Sequence, residues 1–267
     1  MAAVKPVSIT ASQAASLPVA ALTSMMAWDR TVLAPGQAAL VVGASGGCGL
    51  YGVALAKILG ATTTGICSTR NLGFVRGLGA DRVVDYTDRD AMAALREEGR
   101  QFDVIYDTVS SPAPEDPDYS DVIEPLLKPG GRIVAINGSP LDWTRGVVEK
   151  FVLRGLLGLE DVSIQRPGFD LFLLTPARAD LERLVAWFDQ GALPTPPIDS
   201  TFYLSREGDL ERGFARMKSR RTVGKIVFEF PVSGHAGQQR HAELKRETQD
   251  GILQALDKVL SLGQMRI

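Results

Sequence analysis

Short apolar runs alternate with helical patterns along most of this 267-residue chain. The runs are rich in β-branched residues and are bounded by Gly, Asp or Pro, as buried strands of a parallel sheet are. The segments between them carry apolar residues at helical spacing and end in glycine, a common helix stop. Strands are predicted at 38–43, 62–67, 81–86, 102–109 and 131–138, and helices at 48–60, 71–79, 89–99 and 118–130.

The alternation predicts an α/β fold with a doubly wound parallel sheet, because parallel strands need right-handed helical crossovers. A further helix is predicted at 176–191, and the prolines of 194–197 then interrupt the pattern. Beyond them we expect a strand at 200–205, a helix at 207–220, a strand at 224–230, and a polar tail from Pro231 that becomes an amphipathic helix.

Composition narrows the class of protein. The formal charge of -2 gives no electrostatic reason to expect nucleic acid as a partner, and no run approaches the length of a membrane span. Two cysteines, Cys48 and Cys67, indicate a reducing compartment rather than a disulfide scaffold, and cytoplasm, mitochondrion and plastid stay open. The two histidines, His235 and His241, are far from both cysteines in the sequence, so no zinc site is predicted.

The most patterned stretch is the turn GASGGCG at 43–49, between the first predicted strand and helix. It fits G-x-G-x-x-G with alanine in the first glycine's place. Gly46 would let the backbone approach a diphosphate, and Gly49 would let helix and strand pack closely. A plain packing turn is the alternative, but the strand–turn–helix context favours nucleotide binding. The candidate residues are Ala44, Ser45, Gly46, Gly47, Cys48 and Gly49.

The end of the second predicted strand bears on which nucleotide is bound. NAD sites usually carry a carboxylate there for the ribose 2′-OH, and CSTRN at 67–71 has none. Ser68 can donate to a 2′-phosphate, Arg70 can pair with it, and Asn71 belongs to the same candidate site. We therefore expect NADP, unless Arg70 is only a solvated residue in the first turn of the next helix.

Two reductase families carry such a turn, and the tyrosines separate them. Short-chain dehydrogenases need Tyr-x-x-x-Lys, and none of the five tyrosines here is followed by lysine at that spacing. From about residue 6 to 230 the chain resembles medium-chain dehydrogenases/reductases, especially the zinc-free quinone oxidoreductase branch. The resemblance rests on AASLPVAALTSMMAW, LAPGQAALVVGASGGCGLYGVALAKILGA, CSTRN, LGADRVVDY, FDVIYDTV, LKPGGRIVAING and RRTVGKIVFEF, taken in this order.

The resemblance implies a Rossmann fold and further contacts to NADPH. Ser110 stands where the family usually has glycine, so the loop around it is expected to differ. Several implied contact residues also have an ordinary structural reading, as a helix residue, a core aromatic or a surface charge. They are Thr23 near the nicotinamide, Tyr86 and Arg220 near the adenosine phosphate, and Val109 and Asn137 beside the nicotinamide half.

The resemblance also divides the chain. In the family, most of a GroES-like catalytic domain precedes the segment that resembles AASLP, so only a remnant of that domain is expected here. A truncated gene model or fragment, a weakly active NADPH-binding protein and a subunit of a larger assembly stay open. The predicted parts are a lead-in segment with the first Rossmann helix (1–30), the NADP-binding domain (31–195), the C-terminal part of the catalytic domain (196–230) and the tail (231–267).

In an intact member of this branch, the chemistry would be zinc-independent hydride transfer from NADPH to an activated carbonyl or alkene, as in a quinone or enone. No His, Cys or carboxylate stands out as an obligatory acid, so no catalytic residue is assigned. The alternative is a catalytically inactive, reductase-derived subunit that keeps the nucleotide-binding fold and docks into a larger protein assembly. A homodimer through an edge strand near 159–165 is also implied.

Overall fold

A computed structural model describes residues 3–111, 117–158, 169–171 and 177–230. The main sheet has six parallel strands in the order β3-β2-β1-β4-β5-β6, which confirms the predicted doubly wound α/β fold. The strands are β1 (Ala38–Val42), β2 (Thr62–Cys67), β3 (Arg82–Asp85), β4 (Phe102–Asp107), β5 (Leu127–Ala135) and β6 (Phe169–Leu171).

Helices cover both faces of this sheet. Alternate residues of β1 enter two separate apolar cores, with Ala39 and Val41 in one and Leu40 and Val42 in the other. The α-helices are α1 (Ala11–Ser16), α2 (Pro18–Thr31), α3 (Gly49–Ile58), α4 (Leu72–Gly77), α5 (Arg89–Glu97), α6 (Ser120–Ile123), α7 (Pro140–Val147), α8 (Arg178–Asp189) and α9 (Asp209–Lys218). In the described part of the chain, no helix is long and apolar enough to cross a membrane.

The predicted helix at 118–130 is largely wrong. Only the short α6 and a 3-10 turn (Glu124–Leu126) form there, and β5 begins at Leu127. Pro129 cannot donate a helical hydrogen bond, and Gly130 adopts φ +79°, so a helix cannot continue. The segment instead forms an irregularity in the pairing of β4 with β5, between Phe102 and Val104.

The sequence pattern missed β6, the short edge strand. It pairs with β5 from Ile133 to Ala135, and Arg30 of α2 holds its Asp170 through two hydrogen bonds of 2.7 Å. The predicted dimer segment at 159–165 and the tail from residue 231 lie outside the described residues.

A second, two-stranded parallel sheet follows α8. Strands β7 (Ile198–Tyr203) and β8 (Lys225–Glu229) flank α9, which confirms the predicted strand, helix and strand. This C-terminal unit packs on the remainder of the protein, because Ser12 of α1 donates to Glu229 at 2.6 Å and the Gly224 amide donates to the Ser45 carbonyl at 3.1 Å. The unit therefore lies beside the glycine turn.

Candidate functional site

The glycine turn reverses the chain directly after β1. Gly43 has φ +78°, and a Cβ there would lie 2.3 Å from the Val109 side chain and 2.7 Å from that of Thr108. The amides of Gly43 and Ala44 donate to the Ile66 carbonyl of β2 at 3.1 and 2.9 Å. The turn is therefore held between the ends of β2 and β4.

Helix α3 starts against this turn. A Cβ on Gly49 would lie 2.1 Å from the Gly43 carbonyl oxygen, so only glycine permits this approach. Helix α2 holds α3 from the other side, since Ser24 donates to the Cys48 carbonyl at 2.8 Å and the Trp28 indole donates to the Gly52 carbonyl at 3.0 Å. The close packing expected at Gly49 is present.

A cleft of about 880 Å³ opens between the turn, the ends of β2 and β3, the loop after β4, and the C-terminal unit. It collects most of the residues that the sequence suggested for a cofactor. These are Ser45, Gly46, Gly47, Cys48, Ser68, Arg70, Asn71, Tyr86, Val109, Asn137 and Arg220.

Three suggested residues do not line the cleft. Thr23 is 8% exposed within α2, and its hydroxyl donates to the Val19 carbonyl at 2.7 Å, as in an ordinary helix. Ala44 is fully buried beneath the turn, and Gly49 acts through helix packing. Tyr86, by contrast, is 45% exposed and is not a core aromatic.

Hydrogen bonds join the turn to the end of β2. The Asn71 amide nitrogen donates to the hydroxyls of Ser45 and Ser68 at 2.9 and 3.2 Å. The Arg70 guanidinium donates to the Arg221 carbonyl at 3.0 Å, which links this edge to the C-terminal unit. Asn71 thereby positions two hydroxyl groups that can donate to a bound anion.

Lys225 is a cleft residue that sequence reasoning missed. Its Cδ and Nζ atoms would lie 3.0 and 3.5 Å from a Cβ on Gly47, so its ammonium group reaches the glycine turn. Gly224 permits this placement, because it adopts φ +80° and a Cβ there would lie 2.4 Å from the Pro197 carbonyl. A cation directly after a glycine at the start of the last strand was the available signal.

The loop before Lys225 is held by a buried carboxylate. Asp199 accepts from Arg216 at 2.6 and 2.8 Å and from the Val223 amide at 3.0 Å. The Arg216 guanidinium holds the pKa of Asp199 well below its usual range. Arg220, in the left-handed conformation with φ +55°, lies on this loop and faces the cleft.

Among the described residues that line the cleft, every charged side chain is a cation. Arg70, Arg220 and Lys225 line it, and none of the described residues that line it is Asp or Glu. A neighbouring cavity of about 410 Å³ differs, because it is lined by Asp107, Asp118, Asp121, Glu124 and Asp142 together with Arg145. The larger cleft is therefore the one suited to an anion.

The cysteines add no negative charge to the cleft. Burial raises the pKa of the Cys48 thiol, and nearby Lys225 opposes that rise. Burial, together with nearby Asp85, raises the pKa of Cys67 to about 11. Both thiols are free and neutral at pH 7, and no group of three or more metal-ligating side chains occurs among the described residues.

Comparisons with known proteins agree with this architecture. A family model described as zinc-binding dehydrogenase matches residues 78–228. The chloroplast envelope quinone oxidoreductase homolog of Arabidopsis thaliana is 31% identical over 232 residues, covering 84% of this chain and 64% of that protein. The chloroplastic NADPH-dependent alkenal/one oxidoreductase of the same plant is 28% identical, covering 86% of this chain and 50% of that protein.

Among solved structures, the quinone oxidoreductase from Coxiella burnetii has a TM-score of 0.62 and 25% sequence identity. The match covers 80% of this chain and 59% of that one. This chain thus spans only part of the length of each relative. The family match and the first relative confirm the resemblance seen in the sequence: the chain belongs to the medium-chain dehydrogenase/reductase superfamily, in its quinone oxidoreductase-like branch.

Proposed function

We propose that the chain binds NADPH in the cleft at the glycine turn and acts as a zinc-independent oxidoreductase on quinones or enones. The observation that carries the proposal is the charge of the cleft, with Arg70, Arg220 and Lys225 and no carboxylate among its described lining residues. NADPH carries a diphosphate and a 2′-phosphate, and each is stabilised by cations and backbone amides.

The residues present fit this cofactor. The cleft volume of about 880 Å³ lies within the ordinary range of small-molecule sites. A side chain on Gly47 would enter the space beside Lys225, so glycine keeps room for a group between the turn and the ammonium. We assign the diphosphate to the turn and Lys225, and the nicotinamide half to Val109 and Asn137.

We assign the 2′-phosphate to Ser68, Arg70 and Arg220, with Tyr86 beside the adenosine. The end of β2 offers no carboxylate to accept a hydrogen bond from a free ribose 2′-OH, which supports NADPH over NADH. The name of the alkenal/one oxidoreductase relative, which includes NADPH, agrees with this choice.

When bound, the reduced nicotinamide supplies a hydride, and a proton from water completes the reduction of a quinone or enone. The contribution of this chain is to bind and orient the nucleotide, because orientation lowers the entropic cost of the transfer. The names of the relatives, a quinone oxidoreductase homolog and an alkenal/one oxidoreductase, support the substrate class. Zinc independence is part of the proposal through the resemblance of the sequence to the zinc-free quinone oxidoreductase branch.

The test is titration of the full chain with NADPH and with NADH, followed by NADPH oxidation with 9,10-phenanthrenequinone or a simple enone. Arg70→Glu should weaken NADPH binding about tenfold more than NADH binding, because it removes a charge-assisted bond to the 2′-phosphate. Arg96→Glu, an exposed change on α5 away from the cleft, is the control. Equal losses for both nucleotides would contradict the NADP assignment, and no binding of either would refute the function.

A second candidate function is a nucleotide-binding subunit of a larger protein assembly. Leu141, Phe151 and Leu156, in α7 and the segment after it, are 56%, 60% and 77% exposed, and exposed apolar patches often mark protein contacts. NADPH binding without turnover of either acceptor, together with a co-purifying protein, would favour this candidate. Homodimerisation through the sheet edge stays a prediction, and sedimentation of the purified chain tests it.

A further inference from the structure

The loop after β4 is folded back by hydrogen bonds around Ser110, the residue that replaces the family's usual glycine. Asp107 accepts from the amides of Val109 and Ser110 at 2.9 and 3.0 Å. The Ser110 hydroxyl oxygen in turn accepts from the Tyr119 amide at 3.0 Å. These bonds fix Tyr119 next to the end of β4.

The Tyr119 ring lies next to the ring of a second tyrosine that lines the cleft. The half-buried ring of Tyr119 lies 6.2 Å from the ring of Tyr86, at an interplanar angle of 60°, and both residues line the cleft. Tyr86 follows β3, whose last residue Asp85 pairs with Cys67 at the end of β2. The two rings therefore lie on the side of the cleft that also holds Ser68 and Arg70.

We propose that Tyr119 and Tyr86 form the wall on which the adenine of NADPH stacks, and that Ser110 is the positioning residue for Tyr119. This inference rests on the proposed function, in which Ser68 and Arg70 bind the 2′-phosphate of NADPH. The adenine is attached to the same ribose as that phosphate. The ring centroids are 6.2 Å apart and the rings are tilted by 60°, which leaves no parallel gap for a base, so the base stacks on an outer face of the pair and not between them.

The chemistry of the pair suits a base rather than a phosphate. A phenol ring offers a π face on which any planar base stacks, whereas the cations of the cleft serve the phosphates. Burial raises the pKa of Tyr119, and nearby Tyr86 and Asp107 raise it further, so the phenol is neutral at pH 7. It therefore brings no negative charge close to the 2′-phosphate.

The experiment uses the full chain and three probes: NADPH, adenosine 2′,5′-bisphosphate, and reduced nicotinamide mononucleotide, which lacks adenosine. Tyr119→Ala should weaken the two adenosine ligands about tenfold, the expected worth of one aromatic stack. Tyr119→Phe keeps the ring and should bind like the wild type. Tyr203→Ala, at the end of β7 outside the cleft, is the matched control for loss of a partly exposed tyrosine.

Ser110 is tested by rescue. Ser110→Ala removes the acceptor for the Tyr119 amide and should weaken the adenosine ligands about threefold, because one neutral hydrogen bond that positions Tyr119 is lost. Ser110→Thr keeps the hydroxyl and should restore binding. Equal losses in both Ser110 variants would overturn the positioning role.

The binding results distinguish failure of the adenine wall from failure of the proposed function. If the wild type binds NADPH, and Tyr119→Ala binds adenosine 2′,5′-bisphosphate as tightly as the wild type does, the adenine wall is overturned and the proposed function stands. A Tyr119→Phe loss as large as that of Tyr119→Ala, or an equal loss for the mononucleotide, would also overturn it. A wild type that binds neither adenosine ligand overturns both proposals.

Discussion

The substitution Gly49→Ala tests whether the cleft depends on the contact between α3 and the glycine turn. The added Cβ would lie 2.1 Å from the Gly43 carbonyl oxygen, 2.7 Å from its carbon and 2.9 Å from Ala44 Cα. All three atoms belong to the backbone, so no side chain can rotate away. The start of α3 or the turn itself must move.

The size of the movement follows from the geometry. Ordinary contact begins at 3.4 Å, so the 2.1 Å approach requires a displacement of about 1.3 Å along that direction. The far side of α3 is held by α2, where the Trp28 indole donates to the Gly52 carbonyl at 3.0 Å. Overpacking of this kind costs about 1–3 kcal/mol, which for a domain of this size lowers Tm by about 5 °C.

The assay is thermal unfolding and NADPH titration of the variant beside Gly73→Ala. Gly73 also lies in the first turn of a helix, α4, but a Cβ there would meet no atom within 4 Å. The control should therefore match the wild type or gain about 0.5–1 kcal/mol from lower chain entropy when unfolded. Gly49→Ala should in addition bind NADPH at least about tenfold more weakly, because the amides at the start of α3 are displaced.

Two results would refute this reasoning. If Gly49→Ala unfolds at the temperature of the Gly73→Ala control, the close approach to Gly43 does not limit the packing of α3. If the variant is destabilised but binds NADPH like the wild type, the nucleotide does not depend on the turn, and the assigned diphosphate position is wrong.

Three further changes probe the cleft, its loop and the core. Lys225→Met should weaken the binding of NADPH and NADH equally, by about 1.5–3 kcal/mol, because both nucleotides carry the diphosphate. The salt dependence of both affinities should also decrease, which titrations at two salt concentrations measure. A loss of affinity for only one of the two nucleotides would contradict the assignment of Lys225 to the diphosphate. Asp199→Asn breaks the ion pair with Arg216 and should lower the free energy of unfolding by about 1–3 kcal/mol. Because the pKa of Asp199 lies below its usual 3.8, this stabilisation is present above pH 3.8 and is lost as the pH falls further. In urea unfolding, the difference in the free energy of unfolding between the wild type and Asp199→Asn should therefore shrink in acid, and a constant difference would contradict the argument. Trp28→Phe removes the donor to the buried Gly52 carbonyl and should cost about 1–3 kcal/mol, and an unchanged denaturation midpoint would show that this bond is dispensable.

Local pattern was sufficient for much of the fold and for the centre of the site. The apolar runs of β1, β2 and β4 are buried on both faces, which produces a signal readable from adjacent residues alone. The glycine turn was equally readable, because strand end, turn and helix start are contiguous. Ser68, Arg70 and Asn71 were found because they follow a strand whose position was already predicted.

The pattern failed where a competing local cue or a distant partner decided the outcome. At 118–130, apolar residues at helical spacing suggested a helix. Pro129 and Gly130 are incompatible with a helix, so helical structure ends before β5 begins at Leu127. The strand β6 is only three residues long, too short for any periodicity to show, and its pairing with β5 creates it. Thr23, which the family resemblance placed near the nicotinamide, is 8% exposed within α2 and does not line the cleft.

The sequence by itself determined the α/β class, the glycine turn, the exclusion of the Tyr-x-x-x-Lys mechanism and the basic character of the β2 end. Each of these depends on residues that are neighbours along the chain. Only the tertiary structure brought Lys225 to Gly47 and Tyr119 to Tyr86. These pairs come from separate strand ends and loops, and their contact depends on the order of the strands and on how the C-terminal unit packs, which no local pattern of polarity encodes.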